Sequence, residues 1–253
     1  MIIQIYEIQT PDEARQMVEL GVDHVGSVLV SSQGLRNTLL ESVIRQVQRS
    51  GRKSSLIPLF TQTESITNAV RYYRPDILHF CEILPTGAGA EEALHSILER
   101  QSAIRNEFPG LEIMRSIPIG GFGCADRVPS LELAAMFEPV SDWFLTDTLI
   151  CGAGENSEVP QPVHGYVGIT GRTCDWNIAR QLVRQSRIPV ILAGGIGPDN
   201  VGDGIAEVLP AGVDSCTLTN QVDSLGRNVR FKKDFEKVKA LITAARQNNT
   251  VIN

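Results

Sequence analysis

Eight times along this chain a short apolar, β-branched run gives way to a segment with helical spacing, and no linker or composition break interrupts the series. Apolar residues at period two mark strands, and recurrence at i, i+3 and i+4 marks helices. Strands are expected at 2–6, 24–30, 56–60, 76–80, 111–117, 143–147, 189–193 and 213–217. Helices are expected at 11–20, 39–49, 64–72, 90–107, 131–137, 175–185, 198–208 and 232–246. The first helix carries its own punctuation, with Thr10 as N-cap, Pro11 at the first helical position and Gly21 as the stop. Strands separated by helices pair in parallel, and eight such units close into a (β/α)₈ barrel, the TIM-barrel architecture. An open, doubly wound sheet has little need of eight regular repeats. The expectation is one α/β barrel domain over residues 1–253.

That length is ordinary for such a barrel, and an apolar fraction of 42% supports a substantial core. A net charge of −6 with no dense Lys/Arg run argues against nucleic-acid binding. The opening residues, Met1-Ile2-Ile3-Gln4-Ile5-Tyr6, lack the basic region of a signal peptide, and no apolar run reaches the roughly 18 residues of a membrane helix. The five cysteines, Cys81, Cys124, Cys151, Cys174 and Cys216, are odd in number and form no CxxC pair. That pattern fits a reducing cytoplasm and gives no zinc-ligand signature. A soluble, cytoplasmic protein without a metal site is expected, with self-association left open.

In a (β/α)₈ barrel the chemistry sits at the carboxyl ends of the strands. Two glycine turns fall there. One is Gly168-Ile169-Thr170-Gly171-Arg172, and the other is Gly194-Gly195, directly after the seventh strand. Glycine lets backbone approach a ligand closely, and free N–H groups at a helix start favour an anion. Two such turns one strand–helix unit apart point to a shared phosphate site made by Gly168, Thr170, Gly171, Gly194, Gly195 and, from the eighth strand, Thr217. The bland reading is that they are turns needing permissive backbone angles, with Thr170 and Asn200 as helix caps. The glycine-rich segment 116–124 after the fifth strand reads equally as a lid, a second anion loop or a plain turn.

With the strand ends marked, the sequence resembles the phosphoribosylanthranilate isomerase family. Residues 168–176 look like that family's Gly-Gly-Thr-Gly-Lys-Thr-Phe-Asp-Trp, with Ile169 in place of its second glycine. Leu192-Ala193-Gly194-Gly195-Ile196 and Pro198-Asp199-Asn200-Val201 are similar to its Leu-Ala-Gly-Gly-Leu and Pro-x-Asn-Val, and Gly212-Val213-Asp214 fits the strand that follows. Upstream the likeness is patchy but runs through most of the chain. The resemblance implies a cofactor-free Amadori rearrangement of a phosphorylated aminosugar, in tryptophan biosynthesis, with ring opening by a general acid and removal of the C2 proton by a general base. Leu145-Thr146-Asp147-Thr148 is similar to the family's Leu-Leu-Asp-Ser, which makes Asp147 the implied acid. Arg36 matches the arginine that binds the anthranilate carboxylate, and His79 matches the histidine of Gln-Leu-His-Gly. Bland readings are a buried structural acid for Asp147, a solvated loop arginine for Arg36 and a hydrogen-bonded core-rim histidine for His79.

The family's base is the cysteine of Lys-Ile-Cys-Gly at the end of strand one, where this chain has Gln4-Ile5-Tyr6-Glu7. Tyrosine, with a reference pKa near 10, is a poor base at neutral pH unless a cation lowers it. Glu7 is chemically capable of the role, but alternation along a persisting strand would turn it away from the site. The strand-eight loop also departs, reading Cys216-Thr217-Leu218-Thr219-Asn220 for Ser-Ser-Gly-Val-Glu, and residues 221–230 lengthen it. Three readings follow: an isomerase of this type acting through Asp147 with Tyr6 or Glu7, a non-catalytic phosphometabolite-binding or assembly protein on the same barrel, and a different cofactor-free isomerase or lyase. Cys124 and Cys151, in Gly-bearing loops, have no neighbouring base and are not read as nucleophiles.

Overall fold

Parallel strands joined by helices can bury both faces by closing the sheet, filling its interior with side chains and ringing it with the helices. The computed structural model describes residues 1–151 and 161–252. In it β1 (Ile2–Ile5), β2 (His24–Leu29), β3 (Lys53–Pro58), β4 (Ile77–Phe80), β5 (Glu112–Gly120), β6 (Trp143–Leu149), β7 (Val190–Leu192) and β8 (Gly212–Ser215) form a closed parallel barrel in sequence order. Helices α1 (Pro11–Leu20), α2 (Thr38–Arg49), α3 (Thr63–Tyr73), α4 (Glu91–Glu107), α5 (Ser130–Phe137), α6 (Trp176–Gln185), α7 (Val201–Val208) and α8 (Phe235–Ile252) follow the strands in turn.

Local chemistry sets the element ends. Thr10 accepts from Glu13 N–H while its hydroxyl donates to the Glu13 carboxylate, a reciprocal cap for α1, and Gly21 ends the helix at φ 89°. Asp175 caps α6 by accepting from Asn177 and Ile178. Alternation then sorts the side chains. On β1, Ile3 and Ile5 join the cluster beneath the helices, whereas Ile2 and Tyr6 pack in the barrel interior with Val28, Ile57, Met114, Leu145 and Ile191.

Four expectations change. The region 220–233 is an antiparallel hairpin, β9 (Asn220–Val222) with β10 (Asn228–Lys233), so the last helix begins at Phe235 rather than at 232. The alternation of Val229, Phe231 and Lys233 is a period-two signal, and Asp223 closes the turn by accepting from the Leu225 and Arg227 amides. The helix expected from Pro198 begins at Val201 instead, because Asn200 is spent on the preceding turn: its side chain accepts from Gly197 N–H and donates to Gly195 O. Segment 116–124 is a plain continuation of β5 into a turn, and Cys124 O lies close over Gly120. Finally, Cys124 and Cys151 are joined by a disulfide between the loops after β5 and β6, while Cys81, Cys174 and Cys216 are free. A CxxC search misses this pair because closing the barrel, not sequence spacing, brings the two loops together. Among the described residues no helix is long and apolar enough to cross a membrane.

Candidate active site at the carboxyl ends of the strands

A cavity opens at the carboxyl ends of the barrel strands. Of the residues expected in a site, Tyr6, Glu7, His79, Asp147, Thr170, Gly171, Gly194, Gly195 and Thr217 all line it. Gly168 and Arg36 do not.

One corner is made almost entirely of backbone. Gly171, Gly194 and Gly195 all take positive φ, and the two glycine turns press directly on one another. A Cβ on Gly195 would fall 2.5 Å from Thr173 N, and one on Gly171 would press on the Thr217 methyl at 3.3 Å. Among the described residues the amides of Gly171, Gly194 and Gly195 donate to no protein acceptor. N–H groups left unspent in a glycine turn are what a phosphate needs. Asn200 braces this corner through the turn bonds described above. Gly168 has a different task. Its Cα lies against the Asp147 carboxylate, where any side chain would displace the acid, so its lack of a Cβ makes room for Asp147. Ile169, where the family carries glycine, is held at φ 60° with its side chain on the cavity wall.

Asp147 stands on β6 with Oδ1 accepting from Thr148 N–H at 2.9 Å. Burial pushes its carboxyl up to about 7, against the lowering effect of that hydrogen bond. A group so placed is available both as proton donor and acceptor near neutrality.

The β1 side is built of side chains, and here the structure rewrites the expectation. Tyr6 lies inside the barrel over Gly26, with its hydroxyl 2.5 Å from Ser55 Oγ and 2.7 Å from His79 Nδ1. Burial holds that phenol well above its ordinary range, in spite of the Ser55 bond, and no cation lowers it. Tyr6 is thereby tied into a buried hydrogen-bonded network that disfavours its acting as a base. His79 Nε2 is engaged by Ser116 Oγ at 2.8 Å, and burial, reinforced by Arg115, depresses the imidazole to about 3, which makes it a neutral link.

Glu7 does not point away. Its φ of 66° ends the strand and breaks the alternation, swinging the carboxylate to the cavity. There it meets the hairpin: Arg230 Nε donates to Oε1 at 2.6 Å, and Phe231 N–H and Asn220 Nδ2 donate to Oε2 at 3.2 and 3.3 Å. Burial pushes Glu7 up, but Arg230 and Lys233 outweigh it and hold the carboxylate below its usual range. Lys233 is itself buried, donating to Asn220 Oδ1 and Cys216 O. Arg36 is exposed and stacks over Tyr72, 5.6 Å from the ring centre, outside the cavity.

Sequence reading missed one carboxyl altogether. Asp214 lines the cavity from β8, and burial pushes it up to about 8. Its only signal in the chain is the Gly-Val-Asp of an otherwise apolar strand.

A closed parallel barrel with a carboxyl-lined cavity at its strand ends places the chain among the (β/α)₈ barrels that carry their sites on that face. The family model for N-(5'-phosphoribosyl)anthranilate isomerase matches residues 124–244. N-(5'-phosphoribosyl)anthranilate isomerase 2 of Methanosarcina mazei is 32% identical over 146 residues, 55% of this chain and 57% of its own. The enzyme of that name from Methanocella arvoryzae is 32% identical over 52% of each chain. This chain thus spans about half the length of these two relatives. The Beijerinckia indica relative is 27% identical over 98% of this chain and 95% of its own. The crystal structure of the Thermotoga maritima isomerase covers 98% of this chain and 100% of its own, with a TM-score of 0.62 at 20% identity. A phosphoribosylanthranilate isomerase in complex with reduced 1-(o-carboxyphenylamino)-1-deoxyribulose 5-phosphate aligns over the same shares, with a TM-score of 0.61 at 19% identity. The chain is thus similar to phosphoribosylanthranilate isomerases, in sequence most clearly over residues 124–244 and in fold over nearly its whole length.

Proposed function

We propose that this protein isomerises a phosphorylated aminosugar of the phosphoribosylanthranilate type, with Asp147 as the proton donor to the sugar ring oxygen. The observation that carries this reading is the placement of Asp147, a carboxyl held near neutral titration in the same cavity as a glycine corner with unspent amides. In this reading the phosphate sits on Gly171, Gly194, Gly195 and Thr217, with Thr170 at the rim. Protonation of the ring oxygen by Asp147 breaks the C1–O bond as the amine nitrogen forms C1=N. Arg36 holds no ligand group in this reading, and Glu7 serves as an electrostatic wall tied to the hairpin rather than as the base.

A second reading, a phosphometabolite binder without turnover, draws support from Tyr6, whose hydroxyl is tied to Ser55 and His79 and held protonated. Fluorescence-monitored conversion of N-(5'-phosphoribosyl)anthranilate separates the two. The isomerase reading expects turnover that falls by about 100-fold or more in Asp147→Asn, the scale of a lost general acid. Tight binding of a phosphorylated product analogue with no turnover in the parent protein would establish the binder instead.

A further inference from the structure

We infer that Asp214 is the group that accepts the C2 proton, taking over on β8 the task that the resemblance places at residue 6. This assignment rests on the isomerase reading above and adds the partner that reading lacks.

The argument begins with which groups are free. Tyr6 spends its hydroxyl on Ser55 and His79, and His79 spends both ring nitrogens on Tyr6 and Ser116. Both oxygens of Glu7 are occupied by Arg230, Phe231 and Asn220. Two cavity-lining carboxyls remain, each with one oxygen tethered and the other without a protein donor among the described residues. They are Asp147, held by Thr148 N–H, and Asp214, whose Oδ1 accepts from Gln4 Nε2 at 3.2 Å.

Register places them usefully. Gln4 pairs with Asp214 on one side and with His24 on the other, so His24, Gln4 and Asp214 form one row across β2, β1 and β8. His24 Nδ1 meets Gln4 Oε1 at 3.1 Å, which fixes the amide so that its NH₂ faces Asp214. Extending the pairing of Leu145 with Ile191 and of Leu192 with Val213 sets Asp147 and Asp214 on either side of β7 at the same level. Two strand spacings separate their backbones by roughly 10 Å, enough to seat a sugar between two inward carboxyls.

The residue at position 4 explains why Asp214 is suited to the task here. The family motif carries lysine there, and a lysine beside Asp214 would keep it permanently ionised. Gln4 supplies a hydrogen bond without a charge. Burial pushes Asp214 up to about 8, opposed by the Gln4 bond, with Asp147 raising it further and Lys233 lowering it. Tyr6 and Cys216 are the other titratable groups coupled to it, and both stay protonated near neutrality because burial raises each. A buried carboxylate with so high an affinity for protons is a competent base for a C–H proton.

The step balances without a further reactant. After Asp147 has given its proton to the ring oxygen and C1=N⁺ has formed, Asp214 takes the proton from C2. The C2–H pair becomes C1=C2, and the C=N pair returns to nitrogen. The resulting enaminol becomes the ketone when its C2 hydroxyl loses a proton and C1 gains one. Both carboxyls then return to their starting states by proton exchange.

The test uses the intact protein with N-(5'-phosphoribosyl)anthranilate and compares the parent with Asp214→Asn and Gln4→Lys. Asp214→Asn is expected to lower kcat at least 100-fold with KM changed by less than about threefold. Carboxyl ¹³C NMR on Asp-labelled protein should lose one resonance that titrates near 8 in the parent. Gln4→Lys should move that resonance below pH 5 and remove the matching limb of the pH–rate profile. An Asp214→Asn variant retaining more than a tenth of the parent kcat overturns the assignment, as does a parent Asp214 resonance titrating in the ordinary carboxylate range. If the parent binds a phosphorylated product analogue but shows no turnover, the isomerase reading itself fails and takes this assignment with it. Parent turnover combined with an active Asp214→Asn variant overturns this assignment alone.

Discussion

The two sides of the cavity are made of different material. The corner over β6, β7 and β8 is backbone: glycines at positive φ, amides with no protein acceptor among the described residues, and an asparagine that ties the turn from behind. The side over β1 and β4 is a lattice of side chains, in which Tyr6, His79, Ser55 and Ser116 engage one another while Glu7 is clasped by the hairpin. A backbone site tolerates little exchange, because only glycine fits, whereas a side-chain lattice can be rewritten if every member is rewritten together. In this chain Glu7 carries a charge at the rim of β1, and the long strand-eight loop supplies Arg230 and Lys233 to meet it.

If the corner is backbone against backbone, adding one methyl there should be the most damaging of the changes considered. Gly195→Ala places a Cβ on the Arg172–Thr173 peptide at a left-handed position. Strain and overpacking together predict a loss of about 3–5 kcal/mol in urea unfolding, with loss of binding to a phosphorylated product analogue. Gly34→Ala is the control, since it shares the positive φ but meets nothing within 4 Å, and it should cost only about 1 kcal/mol. Equal costs for the two would break the distinction between a packed corner and a simple turn.

The Cys124–Cys151 bridge sharpens the comparison from outside it. It joins the β5 and β6 loops across a separation of 27 residues, and neither cysteine lines the cavity. The chain-entropy account of cross-linking gives about 3.5 kcal/mol for a loop of that size. Cys124→Ser should therefore lower stability by that order under oxidising conditions and by nothing under reducing ones, with ligand affinity unchanged. A change in affinity would mean that the bridge shapes the site.

This contrast also explains what could be read from the sequence. Strand–helix alternation and the two glycine turns are local signals, so the barrel and the glycine corner were legible before any coordinates. Asp147 was legible as well, through its position at the end of β6. The β1 side was not. Whether Glu7 faces in or out depends on a single left-handed φ, and its partner Arg230 lies more than 200 residues away in the chain. The need for a small residue at Gly168 was hidden, because it comes from the Asp147 carboxylate on another element. Asp214 was silent, since its role depends on Gln4 across a strand pair that sequence does not display.

The Glu7–Arg230 clasp gives a pH test of the side-chain region. Glu7 is buried and its folded-state pKa is lowered, so its contribution to stability is present above its unfolded value near 4.5 and is lost as pH falls through the folded one. Arg230→Met removes the dominant cation and leaves a carboxylate half-satisfied by Asn220 and Phe231. We expect about 2–3 kcal/mol of destabilisation at pH 7, at the lower end for broken buried pairs because Arg230 is partly exposed. The gap between parent and variant should close below pH 4.5, where Glu7 is protonated in the variant's folded state as in its unfolded one. A gap independent of pH would assign the loss to Arg230 packing over Phe231 instead.

Ile169 tests the boundary between the two materials, and its effect should be the smallest. It occupies the backbone corner yet contributes a side chain, a β-branched one at φ 60°, where L residues pay about 1–2 kcal/mol. Replacement by glycine relieves that strain but adds about 0.5–1 kcal/mol of chain entropy to the unfolded state and removes part of the cavity wall. The opposing terms nearly cancel, so Ile169→Gly should change stability by less than about 1 kcal/mol while widening the cavity beside the amides. Its effect should appear in binding: a tighter phosphorylated analogue if the isoleucine crowds the corner, a weaker one if it packs against the ligand. A stability loss beyond about 2 kcal/mol would place Ile169 with the interlocked side chains of β1 and move the boundary of the backbone corner to Gly171.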